Sequence, residues 1–381
     1  MFYLISEWLC TFWGPFRLLQ SHVVMMGGGA LSAAILVWWL LPRLAESCPK
    51  DHGKAVKTID GKTVAISGGA EAKGKPTGTG KAIALLLLPV LLCFFPLYAW
   101  ESLWDIGVIF CIYGCMISGY LDDRADLPWG GLRKGLLDAS LALAAALCLC
   151  HGEAMAIWWP FSRVETLMPM WIYVPVAGIL LFGAINTTNC SDGIDGLAGL
   201  LTLLSLIALT VLLYVVIGHR VVADYLLIPH NNAAAKWAVL VSIFAGSIGA
   251  YLWYNCNPSS LLMGDAGSRM YGMVLGVAAL MTNNLCILLV VAPMLLVNGG
   301  GGLLKLLCLR LLRLAGHPVQ RPQPGETSPT VLQRIFFTFT FPLHDHFRKV
   351  KGWSGQQVVI RFVLLQALLL PILFLLFIKV R

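Results

Sequence analysis

Long apolar stretches alternate with short polar ones along nearly the whole chain. Runs at 22–42, 82–99, 105–121, 136–151, 171–187, 197–218, 236–254, 270–283, 285–304 and 358–378 are close to the length of a membrane crossing. A hydrocarbon core of ~30 Å takes about 20 helical residues, so the pattern predicts an all-α integral membrane protein of about ten transmembrane helices. Residues 1–20 are aromatic and apolar, without a basic start or a small-residue cleavage site, and read as an interfacial segment rather than a removed signal. The whole of 1–381 reads as a single polytopic domain, with a basic glycine-rich loop at 43–81 and a long polar loop at 305–357.

Composition agrees with this pattern: 58% of the 381 residues are hydrophobic and only 12% charged, too little polar surface to cover a soluble domain. Basic residues then fix the sidedness, because loops rich in Lys and Arg stay cytoplasmic. Arg43, Lys50, Lys54, Lys57, Lys62, Lys73, Lys75 and Lys81 fall in the first loop. Arg124, Arg133 and Lys134 fall in the third, and Arg321, Arg334, Arg348, Lys349 and Lys351 in the ninth. Odd-numbered loops are therefore expected in the cytoplasm and both termini outside. The net charge of +8 reads as orientation in the bilayer plus attraction for an anionic ligand or lipid, not as nucleic-acid binding. The 11 cysteines lie mostly within apolar runs, with no Cys-x-x-Cys pair, and read as small hydrophobes.

Against this background, four polar clusters stand at predicted helix ends, all on the cytoplasmic side. Carboxylates at that depth cost ~3 kcal/mol or more unless they bind ions or line a polar cavity. Asp122-Asp123 ends the third run, where the helix dipole disfavours negative charge, so a cation is expected to offset the pair. Mg²⁺ suits the position, since it takes one or two carboxylates and fills its remaining places with water and phosphate oxygens. At the end of the fifth run, Asn186, Asn189, Asp192 and Asp195 recur every third position, so neighbouring members share a helical face. Asn255, then Met263-Gly264-Asp265-Ala266-Gly267-Ser268, open the eighth run with an acid at the same expected depth as Asp122 and Asp192. His344-Asp345-His346 lies in the ninth loop, and without cysteine partners is better suited to gripping phosphate or sugar than to holding zinc. Gly74-Lys75-Pro76-Thr77-Gly78-Thr79-Gly80-Lys81 has the wrong spacing for a nucleotide-binding P-loop, and reads either as a segment able to close over an anionic substrate or as a flexible solvated loop.

In this order and on this side, the clusters resemble the phospho-N-acetylmuramoyl-pentapeptide transferases, within the polyprenyl-phosphate N-acetylhexosamine-1-phosphate transferase superfamily. The likeness runs from about Lys73 to the C-terminus. It is strongest at 186–198, 253–268 and Pro342-Leu343-His344-Asp345-His346-Phe347, with Lys351-Gly352-Trp353 and Arg361-Phe362 beyond. It implies a Mg²⁺-dependent enzyme of the bacterial cytoplasmic membrane, with its active site on the cytoplasmic face. That enzyme moves phospho-N-acetylmuramoyl-pentapeptide from UDP to undecaprenyl phosphate in peptidoglycan synthesis, and so serves cell-wall growth and division. It leaves a homodimer open. By the same likeness Asp122, Asp123 and Asp265 are catalytic. Asp265 and Asp192 hold the metal, and Lys73, Thr77, Asn186, Asn189, Asp192, Asp195, Asn255, Ser268, His344 and His346 bind substrate.

Some positions depart from the family: Asp126 stands where lysine is usual, Asp345 replaces the middle histidine, and Leu262 replaces an aromatic. In the first loop Lys75, Gly78 and Thr79 differ, and Ala72 takes a lysine's place beside Lys73. Three rival readings remain at this point. One is the related N-acetylglucosamine-1-phosphate transferase. Another is a prenyltransferase using Asp122, Asp123 and Asp126, and the third is a transporter, which would place its acids at mid-span.

Overall fold

A computed structural model describes residues 2–51, 56–59, 62–65, 72–96, 102–125, 129–162, 164–317, 319 and 331–379. Over the described residues, each predicted apolar run coincides largely with helical structure. Ten helices carry the description below: α1 (His22–Ala45), α2 (Gly80–Phe94), α3 (Ser102–Asp123), α4 (Gly131–Leu149), α5 (Met170–Ser191), α6 (Leu197–Val211), α7 (Asn232–Asn255), α8 (Gly264–Leu280), α9 (Gly301–Leu314) and α10 (Gly355–Phe374). Among the described residues, seven helical segments are long and apolar enough to cross a membrane, and the chain is an α-helical membrane protein.

The low hydropathy of α8 is explained by what surrounds it. In α8 every residue from Ala266 to Leu280 is buried, because α2, α3, α5, α6 and α7 all pack around it. A helix enclosed by protein meets no lipid, so small residues can replace large apolar ones and let neighbouring backbones approach. Gly119 of α3 is the tightest example: a Cβ there would lie 2.2 Å from the carbonyl oxygen of Asp265. Gly119→Val should therefore part α3 from α8, at a cost of about 3 kcal/mol or more, since backbone cannot move aside as a side chain can. A thermal midpoint in detergent within a degree of the unchanged protein would refute that close approach.

Three features were not expected from the pattern. Two antiparallel hairpins join the helices: Val56–Ile59 with Lys62–Ala65 in the first loop, and Met155–Trp158 with Glu165–Met168 between α4 and α5. Both are short stretches rich in β-branched or aromatic residues, which favour extended backbone. The second is pinned to the end of α8, where the Trp158 indole N–H donates to the Thr282 carbonyl at 2.7 Å. The run at 285–304 is also not one helix. It breaks after Val291, where Ala292 has φ −132° and ψ 42° before Pro293, which lacks an N–H and disfavours helix in the residue ahead of it. Beyond Pro293 the chain passes through a π-helical turn at Leu296–Gly300 and continues as α9 to Leu314. Finally, Lys236 at the start of α7 pairs with buried Asp105 of α3, so an ion pair lies inside the helical bundle, far along α3 from Asp122.

Candidate active site

The site forms where α3 ends and α8 begins. Asp123, the last residue of α3, accepts the backbone N–H groups of Asp265 and Ala266, each at 3.0 Å. These are first-turn donors that the helix itself cannot satisfy, and the positive end of the α8 dipole favours the carboxylate there. Gly264, with φ +67°, makes room for it: a Cβ would sit 2.4 Å from the Asp123 Oδ2. Asp123 is thus committed to joining the two helices.

Asp122 faces the other way and meets Asp265 through a lysine. Lys134 of α4 donates to Asp265 Oδ2 at 3.0 Å and is in direct contact with Asp122, which also accepts the Trp129 N–H at 2.7 Å. The cation expected beside these acids is therefore supplied in part by the chain itself. One turn along α8 from Asp265, Arg269 is buried and reaches Asp138 at 3.3 Å, Ser118 at 3.2 Å and Asp265 at 3.4 Å. On the far side of Asp265, Asn189 donates to Oδ1 at 3.0 Å and to Ser268 Oγ at 3.0 Å. Asn186 approaches Asp138 at 3.5 Å and bonds the Phe182 carbonyl at 2.9 Å.

Asp192 caps α5 and is half-buried, and no hydrogen bond to its carboxylate forms among the described residues. Burial, reinforced by the charges of Asp265, Asp123 and Asp195, pushes its pKa up to about 8. Asp195, three residues on, accepts the Ser259 N–H at 3.1 Å. Asn255 is buried and spent on structure: it accepts from Gly196 N–H at 2.9 Å and donates to the Leu261 carbonyl at 2.9 Å, fastening the fifth loop to the seventh.

From the ninth loop only one histidine reaches this region. A methyl on Gly193 would come within 2.5 Å of His344 Nε2, so the ring lies against the Asp192 turn. Its orientation is set by Asn298 of the π-helical turn, whose Oδ1 accepts from the His344 backbone N–H at 2.9 Å and from Nδ1 at 3.1 Å. Asn298 in turn donates to Ser191 Oγ at 2.9 Å. That pattern assigns the proton to Nδ1 and leaves Nε2 with a lone pair. Burial, against the charge of Asp345, brings the ring's pKa down to about 4 and keeps it neutral near pH 7. His346 points elsewhere, packed between Phe339 and Phe347, and Asp345 pairs with Lys349 at 2.8 Å.

The first loop zips along the approach to α8. Leu262 N–H donates to the Pro76 carbonyl at 2.9 Å and Thr79 Oγ1 to the Leu262 carbonyl at 2.9 Å, with Thr77 half-buried and Lys73 exposed. Asp126 lies outside the described residues. The structure therefore gathers Asp122, Asp123, Asn186, Asn189, Asp192, Asp265, Ser268 and His344 at one end of the bundle. It gives Asn255, Thr77 and His346 other contacts. Sequence reasoning overlooked Asp138 and Arg269, counted Lys134 only as a loop charge, and missed Asn298. A carboxylate inside the run at 136–151 and an arginine one turn past Asp265 were the available signals, whereas nothing marked Asn298.

Among the described residues no three Asp, Glu, His or Cys side chains enclose an ion by themselves. That arrangement still suits Mg²⁺, which needs one or two protein carboxylates and completes its shell with water and phosphate. Asp192, crowded by acids and without a donor among the described residues, would together with Asp265 offer those oxygens.

Comparison with known proteins agrees with the geometry. A family model described as glycosyl transferase family 4 matches residues 106–283, a stretch holding every acid of the cluster. The phospho-N-acetylmuramoyl-pentapeptide-transferase of Treponema pallidum (strain Nichols) is 35% identical over 369 residues, covering 96% of this chain and 93% of its own. A protein of the same name from Campylobacter curvus (strain 525.92) is 26% identical over 392 residues, covering 100% of both. The chain belongs to the phospho-N-acetylmuramoyl-pentapeptide transferase family.

Proposed function

We propose that the protein transfers phospho-N-acetylmuramoyl-pentapeptide from its UDP carrier to undecaprenyl phosphate, giving lipid I and UMP at the inner face of the bacterial cytoplasmic membrane. The observation that carries this reading is the meeting of Asp122, Lys134 and Asp265, from three helices, beside Asn189, Asp192 and His344. The ten apolar runs support ten spans, and the distribution of basic loops supports a cytoplasmic site with external termini.

The reaction exchanges one phosphoanhydride for another. An oxygen of the acceptor phosphate bonds to the sugar-linked phosphorus, the bond from that phosphorus to UMP breaks, and UMP leaves with the electron pair. Two anions must meet, so charge neutralisation and alignment dominate the barrier. Lys134 supplies positive charge between Asp122 and Asp265, and Arg269 holds Asp265 from behind. Asp122, fixed by Lys134 and the Trp129 N–H, orients the acceptor phosphate; a phosphate with a second pKa near 6 has little proton left to remove. His344, with Nε2 free to accept, suits a hydroxyl or amide of the donor. Mg²⁺ held by Asp265 and Asp192 would neutralise the diphosphate and the leaving UMP.

The test is UMP release from UDP-N-acetylmuramoyl-pentapeptide and a polyprenyl phosphate by purified protein, with and without Mg²⁺. Metal-dependent UMP formation is the expected result. Turnover of UDP-N-acetylglucosamine instead would move the chain to the sister activity, and unchanged turnover in excess chelator would remove Mg²⁺ from the reading.

A further inference from the structure

The lysine that departs from the family in the first loop is unusually well connected. Lys75 Nζ donates to Ser259 Oγ at 2.9 Å and lies 3.8 Å from Asp195 Oδ2. Ser259 is itself buried and presents its N–H to the same Asp195 oxygen. One ammonium thus touches the seventh loop and the fifth while its own backbone is anchored in the first. The Lys75 carbonyl accepts from Asp51 N–H at 2.9 Å, and the next residue, Pro76, accepts from Leu262 N–H at 2.9 Å. Both charged side chains are mostly covered, at 20% and 17% exposure, so solvent screens the pair less than a surface ion pair.

We propose that Lys75 is a positioning residue for the nucleotide-sugar donor, acting through Asp195; this deepens the reading given above and rests on it. Two physical consequences follow from its place. The carboxylate of Asp195 is aimed by two donors, Ser259 N–H and Lys75, and so presents one fixed face to the Asp192 turn. Its charge is also offset: without Lys75, Asp195 would add uncompensated negative charge beside Asp192, on the side where a diphosphate must approach. Asp195 also lines an apolar recess with Leu200, Leu252 and Asn257, where a misdirected carboxylate would lose its donors to no gain. Loss of the ammonium should therefore weaken donor binding more than the chemical step.

Steady-state kinetics of Lys75→Met, Lys75→Arg, Asp195→Asn and the double variant Lys75→Met/Asp195→Asn test this. For Lys75→Met, KM for UDP-N-acetylmuramoyl-pentapeptide should rise about tenfold, with kcat within about twofold and KM for the polyprenyl phosphate unchanged. Lys75→Arg should recover most of the loss, and the double variant should be no worse than Asp195→Asn alone. An unchanged donor KM in Lys75→Met, or full additivity in the double variant, overturns the proposal. Amide hydrogen exchange of the intact protein gives a readout independent of turnover: residues 72–80 and 259–263 should exchange at least several-fold faster in Lys75→Met. Unchanged exchange also overturns the proposal. If the wild-type protein releases no UMP, the functional reading fails, and the exchange result alone decides whether Lys75 fastens the first loop to the fifth and seventh.

Discussion

Replacing Asp265 by Asn is expected to lower UMP release about 10³-fold while leaving the protein folded. Asp265 Oδ1 and Oδ2 collect Asn189, Lys134 and Arg269, so the carboxylate sits where three loops and helices converge. Asn fills the same space, and neither cation is orphaned by the change: Lys134 keeps Asp122, and Arg269 keeps Asp138. The loss should therefore appear in kcat, with the thermal midpoint and elution profile in detergent close to those of the unchanged protein. Turnover within tenfold of wild type would end the assignment of Asp265 to the chemistry, whereas a collapsed elution profile would show that the carboxylate is needed for assembly.

The second large effect concerns stability. Arg269 is 2% and Asp138 1% exposed, so their ion pair is enclosed. Removing one member leaves a buried charge without its counterpart, at a cost of about 3–5 kcal/mol. Arg269→Met should accordingly lower Tm in detergent by many degrees. Arg269→Met/Asp138→Leu, which removes both charges, should recover much of that loss, because packed apolar groups can replace a buried pair with little penalty. Activity should not return with stability, since Asp265 has still lost its support from behind. A double variant as unstable as the single one would mean that Arg269 matters through its packing with Ser118 and its neighbours rather than through its charge.

Much of this architecture is legible along the chain because the bilayer imposes a length. The run at 22–42 becomes α1, and the one at 236–254 becomes α7, with shifts of only a few residues at their ends. The acids were legible too, since Asp122, Asp192 and Asp265 each interrupt an apolar pattern at its end. Less visible was everything that depends on the fold bringing distant segments together. Lys134 reads as one more cytoplasmic charge until α4 packs beside α3 and carries its ammonium between two carboxylates. Asn298 lies in a run of Leu, Val and Gly, and acquires meaning only when the π-helical turn presents it to His344. The break at Pro293 was readable in principle, yet hydrophobicity alone cannot distinguish a continuous crossing from one interrupted at mid-depth. His346 shows the opposite case: proximity in sequence to His344 suggested a shared task, but on a short helix residues two apart face different directions, and this one packs between Phe339 and Phe347 in tilted and edge-on contacts.

Lys134 has a further consequence for how the protein matures. Many metal centres cannot form until the ion arrives, because acids or thiolates brought together without it repel one another and hold the chain open. Here an ammonium from the chain already stands between Asp122 and Asp265, so the repulsion is relieved as the helices pack. On the proposed Mg²⁺ reading, the reactive end of the molecule would assemble during insertion into the bilayer without waiting for a divalent ion, and a chelating agent should silence the protein without unfolding it.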